Sequence, residues 1–312
     1  MEEKKNSTHN TKVSIFLLTY NQEKYIAQTI ESILSQQTNF SFQLVIGEDC
    51  SSDSTRTICE SYAIEYGNKI KLLPALENNI GLIKNYMRTI KECDGKYIAI
   101  CDGDDYWIDE FKLQKQVSIL EANENCKIVH TDLKVLCNGK FENFYKQQKT
   151  NEFFLFDNLI ASNPISSVTV MFRNFQQQEQ LPLWVNNHPY GDYPTYLWIL
   201  RNGGYIHYLD EVTSVYRKDI GVSSKLEKSN NYDLSILKDL YNDSNFSLHK
   251  PKLRKKILQK YFEDVNRSHN EFKYFKGFII FFSLFLKNKF SHYLVQMYLS
   301  LIKKELGKHI KI

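Results

Sequence analysis

Lys96-Tyr-Ile-Ala-Ile-Cys-Asp-Gly-Asp-Asp105 reads as a strand that runs straight into an acidic loop. Its apolar part has the composition of a strand buried on both faces, and its end crowds the carboxylates of Asp102, Asp104 and Asp105 together. Like charges so placed raise one another's pKa unless a cation or a set of donors compensates them. A hard divalent cation such as Mn²⁺ or Mg²⁺ takes oxygen ligands, and Mg²⁺ typically uses one or two carboxylates and completes its shell with water and phosphate oxygens. The loop therefore points to a metal-bound phosphate ester, against the plainer alternative that Asp and Gly are making a turn.

The residues on either side decide between these. Val13–Thr19 is a short β-branched and apolar run, followed by Ile26, Ile30, Ile33 and Leu34 at helical spacing within residues 23–36. Phe42–Ile46 predicts a second strand, Ser54–Tyr66 a helix, Lys69–Leu73 a third strand and Leu82–Glu92 a helix. Lys96–Cys101 is the fourth strand and Phe111–Glu121 the next helix. Such alternation is the signature of a mostly parallel α/β sheet flanked by helices, whose ligands bind outside the carboxyl ends of the strands. Those ends carry Thr19-Tyr20-Asn21, Glu48-Asp49-Cys50-Ser51-Ser52-Asp53 and Asp102-Gly103-Asp104-Asp105, so three polar clusters converge on one edge. Taken singly, Asn21 and Asp53 are good helix N-caps. Beyond residue 125 the pattern is irregular: strands at Lys127–Leu136 and Ile165–Phe172, a helix near Tyr193–Arg201, an extended segment at Tyr205–Val215, and helix from about residue 232 onward.

With 312 residues, 42% hydrophobic and 24% charged, the chain has the composition of a soluble globular protein with one large domain and an appendage. Residues 1–11 are polar and aperiodic and read as a disordered end. The six cysteines form no C-x-x-C pair and no signal-peptide core precedes the first strand, so reduced thiols in a cytoplasmic protein are expected. The net charge of +4 is uneven: residues 271–312 hold eight lysines against two glutamates, which leaves the remainder at a net of −2. Basic charge confined to a tail is not the pattern of a nucleic-acid binder. The tail also holds the apolar run Gly277–Leu286, too short to span a bilayer but suited to lie in an anionic interface; packing on the domain is the alternative. Peripheral association with the inner face of the plasma membrane through 271–312 is the expectation.

Four ordered motifs carry a resemblance. Val13–Asn21 is similar to the opening strand of family 2 glycosyltransferases of the GT-A fold, and Ile46-Gly-Glu-Asp-Cys-Ser-Ser-Asp-Ser-Thr55 resembles that family's DDGSTDxT segment, with Glu48 in place of the first aspartate. Glu77–Leu82 looks like its N-x-G segment, and Asp102–Trp107 with Lys112–Gln116 resembles its DxD motif and the helix after it. The likeness is strongest over residues 12–125 and continues through Gly191-Asp192-Tyr193 and Tyr216-Arg217. It implies a GT-A (Rossmann-like) domain at 12–230, divided into a nucleotide-sugar-binding half (12–125) and an acceptor half (126–230), with a helical C-terminal region at 231–312.

The resemblance also implies roles. Thr19 and Tyr20 frame the nucleotide base with Glu48 beside them, Asp49 accepts from a uracil-type imide, and Asp102 with Gly103 contacts ribose and pyrophosphate. Asp104 ligates Mn²⁺ or Mg²⁺, with Asp105 as an adjacent ligand or support. Asp192 is the catalytic base, alternatively the cap of the helix that follows it, and inversion is implied because one base and no protein nucleophile are needed. His188, in a Pro-flanked loop expected to be exposed, is a second candidate base; Arg217 is either a phosphate or acceptor contact or structural. Ser166 and Ser167, on a predicted strand, either line the acceptor pocket or satisfy backbone groups, and are left outside the site. Gln180-Leu-Pro-Leu-Trp184 lacks the arginine of the processive Q-x-x-R-W motif, which favours single addition. The expected partners are a nucleotide-diphospho-sugar, UDP-linked on family grounds, and a glycan or lipid-linked acceptor of bacterial surface polysaccharide synthesis. Rival readings are a degenerate binding relative and a sugar-phosphate nucleotidylyltransferase. The latter would open with a glycine-rich loop where Thr19-Tyr-Asn-Gln-Glu23 has no glycine.

Overall fold

Buried β-branched runs and amphipathic helices alternate as their periodicity dictates in the computed structural model, which describes residues 11–142, 153–176, 178–218, 220–221 and 232–270. The chain divides into two compact units, residues 1–230 and 231–312. In the first, β1 (Val13–Thr19), β2 (Phe42–Glu48), β3 (Ile70–Leu72) and β4 (Tyr97–Ile100) form a parallel block in the order β3-β2-β1-β4. Between them run α1 (Ile26–Leu34), α2 (Thr55–Glu65) and α3 (Leu82–Ile90). Ile26, Ile30 and Ile33 of α1 share a buried cluster with Ile15, Leu17, Leu44, Ile46 and Ala99 of the strands. Each such Ile or Leu contributes roughly 1.5–3 kcal/mol by burial, so helix and sheet are held by the pattern read in the sequence.

Past β4 come the short β5 (Tyr106–Trp107), α4 (Lys112–Ala122), β6 (Cys126–Cys137), β7 (Lys140–Glu142), β8 (Phe153–Phe154), α5 (Phe156–Ala161), β9 (Met171–Arg173), α6 (Asp192–Leu200) and β10 (Tyr205–Arg217). They extend the sheet in the order β4-β9-β6-β10-β5. β9 is antiparallel to both neighbours: Phe172 pairs with Ile98 on one side and Ile128 on the other, so β4 and β6 run the same way. β10 is parallel to β6 with register shifts along it, and its end pairs antiparallel with β5, Ser214 and Val215 facing Trp107 and Tyr106. The sheet is thus mostly parallel, as expected, with an antiparallel insertion.

The strand expected over Ile165–Phe172 is the main correction to the fold. Residues Ser167–Thr169 form a 3-10 turn, and only Met171–Arg173 is strand. The backbone N–H of Thr169 and its hydroxyl both donate to the carbonyl of Ser166, at 3.0 and 2.7 Å. Local side-chain bonding of this kind competes with a ladder.

The second unit holds α7 (Tyr232–Asn242), a 3-10 turn at Ser244–His249 started by the Asp243 carboxylate accepting from the N–H of Asn245, and α8 (Lys250–Asn270), which packs on α7. The apolar run and the basic tail at 271–312, like residues 1–10 of the disordered end expected at 1–11, lie outside the described residues. No described helix is long and apolar enough to cross a membrane.

Candidate active site

The loops leaving β1 and β2 are laced to each other. Asn21, at φ 52°, accepts from the N–H of Ser52 and donates its own N–H to Ser51, and the N–H of Gln22 donates to Thr55 Oγ1 at 2.7 Å. Asp53 accepts from the N–H groups of Glu23 and Thr55, while Glu23 accepts from that of Ser54. Asn21 is therefore a cross-loop tie, not the N-cap its residue type suggested; Asp53 serves the start of α2 and the tie at once.

Glu48 and Asp49 are both buried and both engaged. Glu48 Oε1 accepts from the N–H of Ser51 and its other oxygen lies 3.8 Å from Arg56. Asp49 accepts from the N–H of Ile80 at 2.9 Å, the N–H of Gly81 at 3.0 Å and the amide of Asn79 at 3.0 Å. An ionised carboxylate has about four lone-pair sites, so Asp49 retains capacity for one further donor while it fixes the Asn79-Ile80-Gly81 turn. Tyr20 is 38% exposed at the edge of the sheet.

Thr19 is buried and donates its hydroxyl to Gln22 Oε1 at 2.7 Å. The side chain of Gln22 in turn hydrogen-bonds the Asp104 carboxyl. Gly103 is wedged beneath this relay: a Cβ there would lie 2.4 Å from Gln22 Oε1 and 2.8 Å from Thr19 Oγ1. Its N–H donates to the carbonyl of Leu18 and its own carbonyl accepts from Thr29. Gly103 therefore lets the acidic loop close onto the end of β1.

The acidic residues divide by surroundings. Asp102 is half-buried and accepts from Ser167 Oγ at 2.8 Å; burial and the charge of Asp104 push its pKa up to about 7, Asp192 adds to this, and the Ser167 bond opposes it. Asp104 is 6% exposed, and burial raises its pKa against the pull of Arg217 and Gln22. Asp105, at 2% exposed, is raised further by burial and by Asp104, and its Oδ1 accepts from the N–H of Arg217 at 2.8 Å. Arg217 is structural: its guanidinium lies between the rings of Tyr25 and Tyr106, at 4.9 and 4.6 Å, and donates to the carbonyl of Asp104 and to Gln28. It latches the end of β10 to the acidic loop.

These donors fit a substrate-bridged cation better than a protein cage. Among the described residues no three His, Cys, Asp or Glu side chains are grouped to hold a metal alone. Asp105 faces the latch, which leaves Asp104 with Asp102 as the hard-oxygen pair; the charge of a cation there would offset the rise that burial causes in both.

Asp192 is the first residue of α6, with Gly191 as N-cap, so the expectation that Asp192 itself caps the helix is corrected. It is half-buried, and burial raises its pKa against hydrogen bonds from its own N–H and that of Tyr193. Its seat is set by Tyr86 of α3, whose hydroxyl is 3.0 Å from Thr195 Oγ1, while Thr195 donates to the carbonyl of Gly191 at 2.7 Å. A Cβ at Gly191 would meet the Tyr86 ring at 2.4 to 2.7 Å. Gly191→Ala is therefore expected to displace the start of α6, lowering Tm by several degrees and turnover by at least tenfold; wild-type values of both would show that the helix start tolerates the shift. His188, expected exposed, is only 2% exposed, because the 3-10 turn Leu183–Asn187 folds it against Trp184 with ring centroids 5.8 Å apart.

The edge so built is that of the GT-A fold, and the sequence places it in a family. Residues 14–175 match glycosyl transferase family 2, and the chain belongs to that family. It is 30% identical over 209 residues to an uncharacterized protein of Mycobacterium tuberculosis, which covers 66% of this chain and 58% of that protein's length. It is 28% identical over 206 residues to TuaG of Bacillus subtilis, named for teichuronic acid biosynthesis as a glycosyltransferase, covering 66% of this chain and 78% of TuaG. The crystal structure of S. aureus TarS in complex with UDP-GlcNAc aligns with TM-score 0.62 at 22% identity, over 81% of this chain and 73% of that one, a likeness of fold.

Proposed function

We propose that the chain is a metal-dependent inverting glycosyltransferase. It moves one sugar from a nucleotide-diphosphate donor, a UDP-sugar first among the carriers, to a hydroxyl of a glycan or lipid-linked acceptor in bacterial surface polysaccharide synthesis. The observation that carries the reading is the pair of crowded carboxylates Asp102 and Asp104 beyond β4 in a chain of glycosyl transferase family 2, with Asp192 at the start of α6 adding to the charge that raises Asp102. Family membership, the UDP-GlcNAc complex of TarS and the teichuronic acid assignment of TuaG support the donor and the setting.

Asp49 offers its remaining lone pair to the base, and Asp102 and Asp104 face the diphosphate. Asp104 with Asp102 would hold a divalent cation, which would supply charge neutralisation on the leaving diphosphate. Asp192 takes the proton from the acceptor hydroxyl. The acceptor oxygen bonds to the anomeric carbon as the bond from that carbon to the diphosphate oxygen breaks, and the nucleoside diphosphate leaves with the electron pair. Attack opposite the leaving group inverts the anomeric centre. Burial that raises Asp192 makes its carboxylate a better base than an exposed one.

The raised carboxyls fix a pH dependence. Asp102 must be ionised to face a cation, and its pKa of about 7 means that this form is lost as pH falls through that value. Donor affinity with Mn²⁺ is expected to rise from pH 6 to pH 8. The stability of the free protein moves oppositely. Between the ordinary carboxylate pKa and about 7 the folded state binds more protons than the unfolded, so this group's contribution falls as pH rises. Thermal melts at pH 6 and pH 8, with and without Mn²⁺ and UDP, check both signs, and a pH-independent stabilisation by ligand would remove Asp102 from the donor site. The activity itself is tested by nucleoside-diphosphate release from UDP-, GDP- and dTDP-sugars with NMR of the released anomer. Metal-dependent release with inverted configuration is expected; retention, or release unaffected by chelator, would overturn the reading.

A further inference from the structure

We propose that Ser167 is a positioning residue for the donor: its hydroxyl, presented by the 3-10 turn Ser167–Thr169, fixes the Asp102 carboxylate in the orientation that receives the nucleotide diphosphate. The proposal rests on the transferase reading above. Three observations carry it. Ser167 Oγ donates to Asp102 Oδ2 at 2.8 Å, which occupies one carboxylate oxygen and leaves the other without a hydrogen bond among the described residues. The turn is held rigidly from beneath by buried donors: Trp107 Nε1 and Ser214 Oγ reach the carbonyl of Val168 at 3.0 and 3.2 Å, and Gln116 Nε2 reaches that of Thr169 at 2.8 Å. Gln116 is oriented by Lys112, whose fully buried Nζ donates to Gln116 Oε1 at 2.7 Å and sits 4.5 Å above the ring of Trp107.

The polar residues that follow the acidic loop, Trp107, Lys112 and Gln116, thus form a buried strut. Its far end is not the ligand edge of β4 itself but the turn that leads into β9, the strand paired with β4. Side chains that hold a binding group by a second layer of hydrogen bonds tune it by restricting its rotamers. A carboxylate left to rotate loses affinity without loss of fold, which separates a positioning role from a structural one.

The test is calorimetric titration of the full chain with UDP, GDP and dTDP in Mn²⁺, for wild type, Ser167→Ala and Ser167→Thr, together with thermal melts without ligand. For the nucleotide that binds wild type, Ser167→Ala is expected to weaken binding about five- to tenfold with Tm within about 2 °C. Ser167→Thr, which keeps the hydroxyl, is expected to stay within about twofold. Unchanged affinity in the Ala variant overturns the proposal, and so does equal loss in both variants with a lowered Tm, which assigns Ser167 to the fold. Failure of wild type to bind any of the three removes the transferase reading, and the proposal with it, while leaving that failure distinct from a Ser167-specific one.

Discussion

Asp192→Asn is expected to cut transfer by roughly 10²–10⁴-fold, the range that a lost general base commands, while donor affinity stays within about twofold. The carboxamide keeps the size of the side chain and its place at the first turn of α6, so the Tyr86 and Thr195 seat is undisturbed. What it removes is the carboxylate proposed to take the acceptor's proton. The helix dipole favours a carboxylate in the first turn by about 0.3–1 kcal/mol while burial disfavours its ionised form, so Tm is expected to stay within a few degrees of wild type. Single-turnover measurement with saturating donor separates these effects. Near-normal turnover would return Asp192 to a first-turn helix residue and leave His188 as the remaining candidate base.

Asp104→Asn is expected to abolish the metal-dependent part of donor binding, because it removes the carboxylate best placed to hold a cation against the diphosphate. Removing a charge from a crowded, buried carboxylate group relieves repulsion with Asp102 and Asp105. The variant is therefore expected to be as stable as wild type, or more so, at pH 8 without ligand. A residue kept for the fold would behave oppositely. Loss of both stability and binding would assign Asp104 to the Arg217 latch, and equal nucleotide affinity with Mn²⁺ and with chelator in wild type and variant alike would remove it from the site.

The parallel half was legible because its strands are buried on both faces and read as continuous apolar runs: Val13–Thr19 is buried at every position. The acidic edge was legible for a topological reason, since strand ends in such a sheet face the ligand whatever their sequence. The rest depends on contacts between distant segments. Nothing local in Ser166-Ser167-Val168-Thr169 distinguishes a buried strand from a 3-10 turn whose carbonyls are claimed by Trp107, Gln116 and Ser214. β5 has two residues and exists because β10 pairs with it. Gln22 reads as an ordinary residue before a helix, although its spacing of three from Thr19 is the signal of a turn-closing pair. Arg217 shows the same limit: its type fits a phosphate contact equally well, and only the rings of Tyr25 and Tyr106 around it decide for the latch.

Calorimetric titration of the whole chain with UDP, GDP and dTDP, each with Mn²⁺ and with chelator, tests the central claim most directly. A metal-dependent transferase site at Asp102 and Asp104 predicts that one nucleotide binds in Mn²⁺ and that chelator abolishes or strongly weakens it. Absence of binding by all three, or binding of the same strength with chelator, would contradict it.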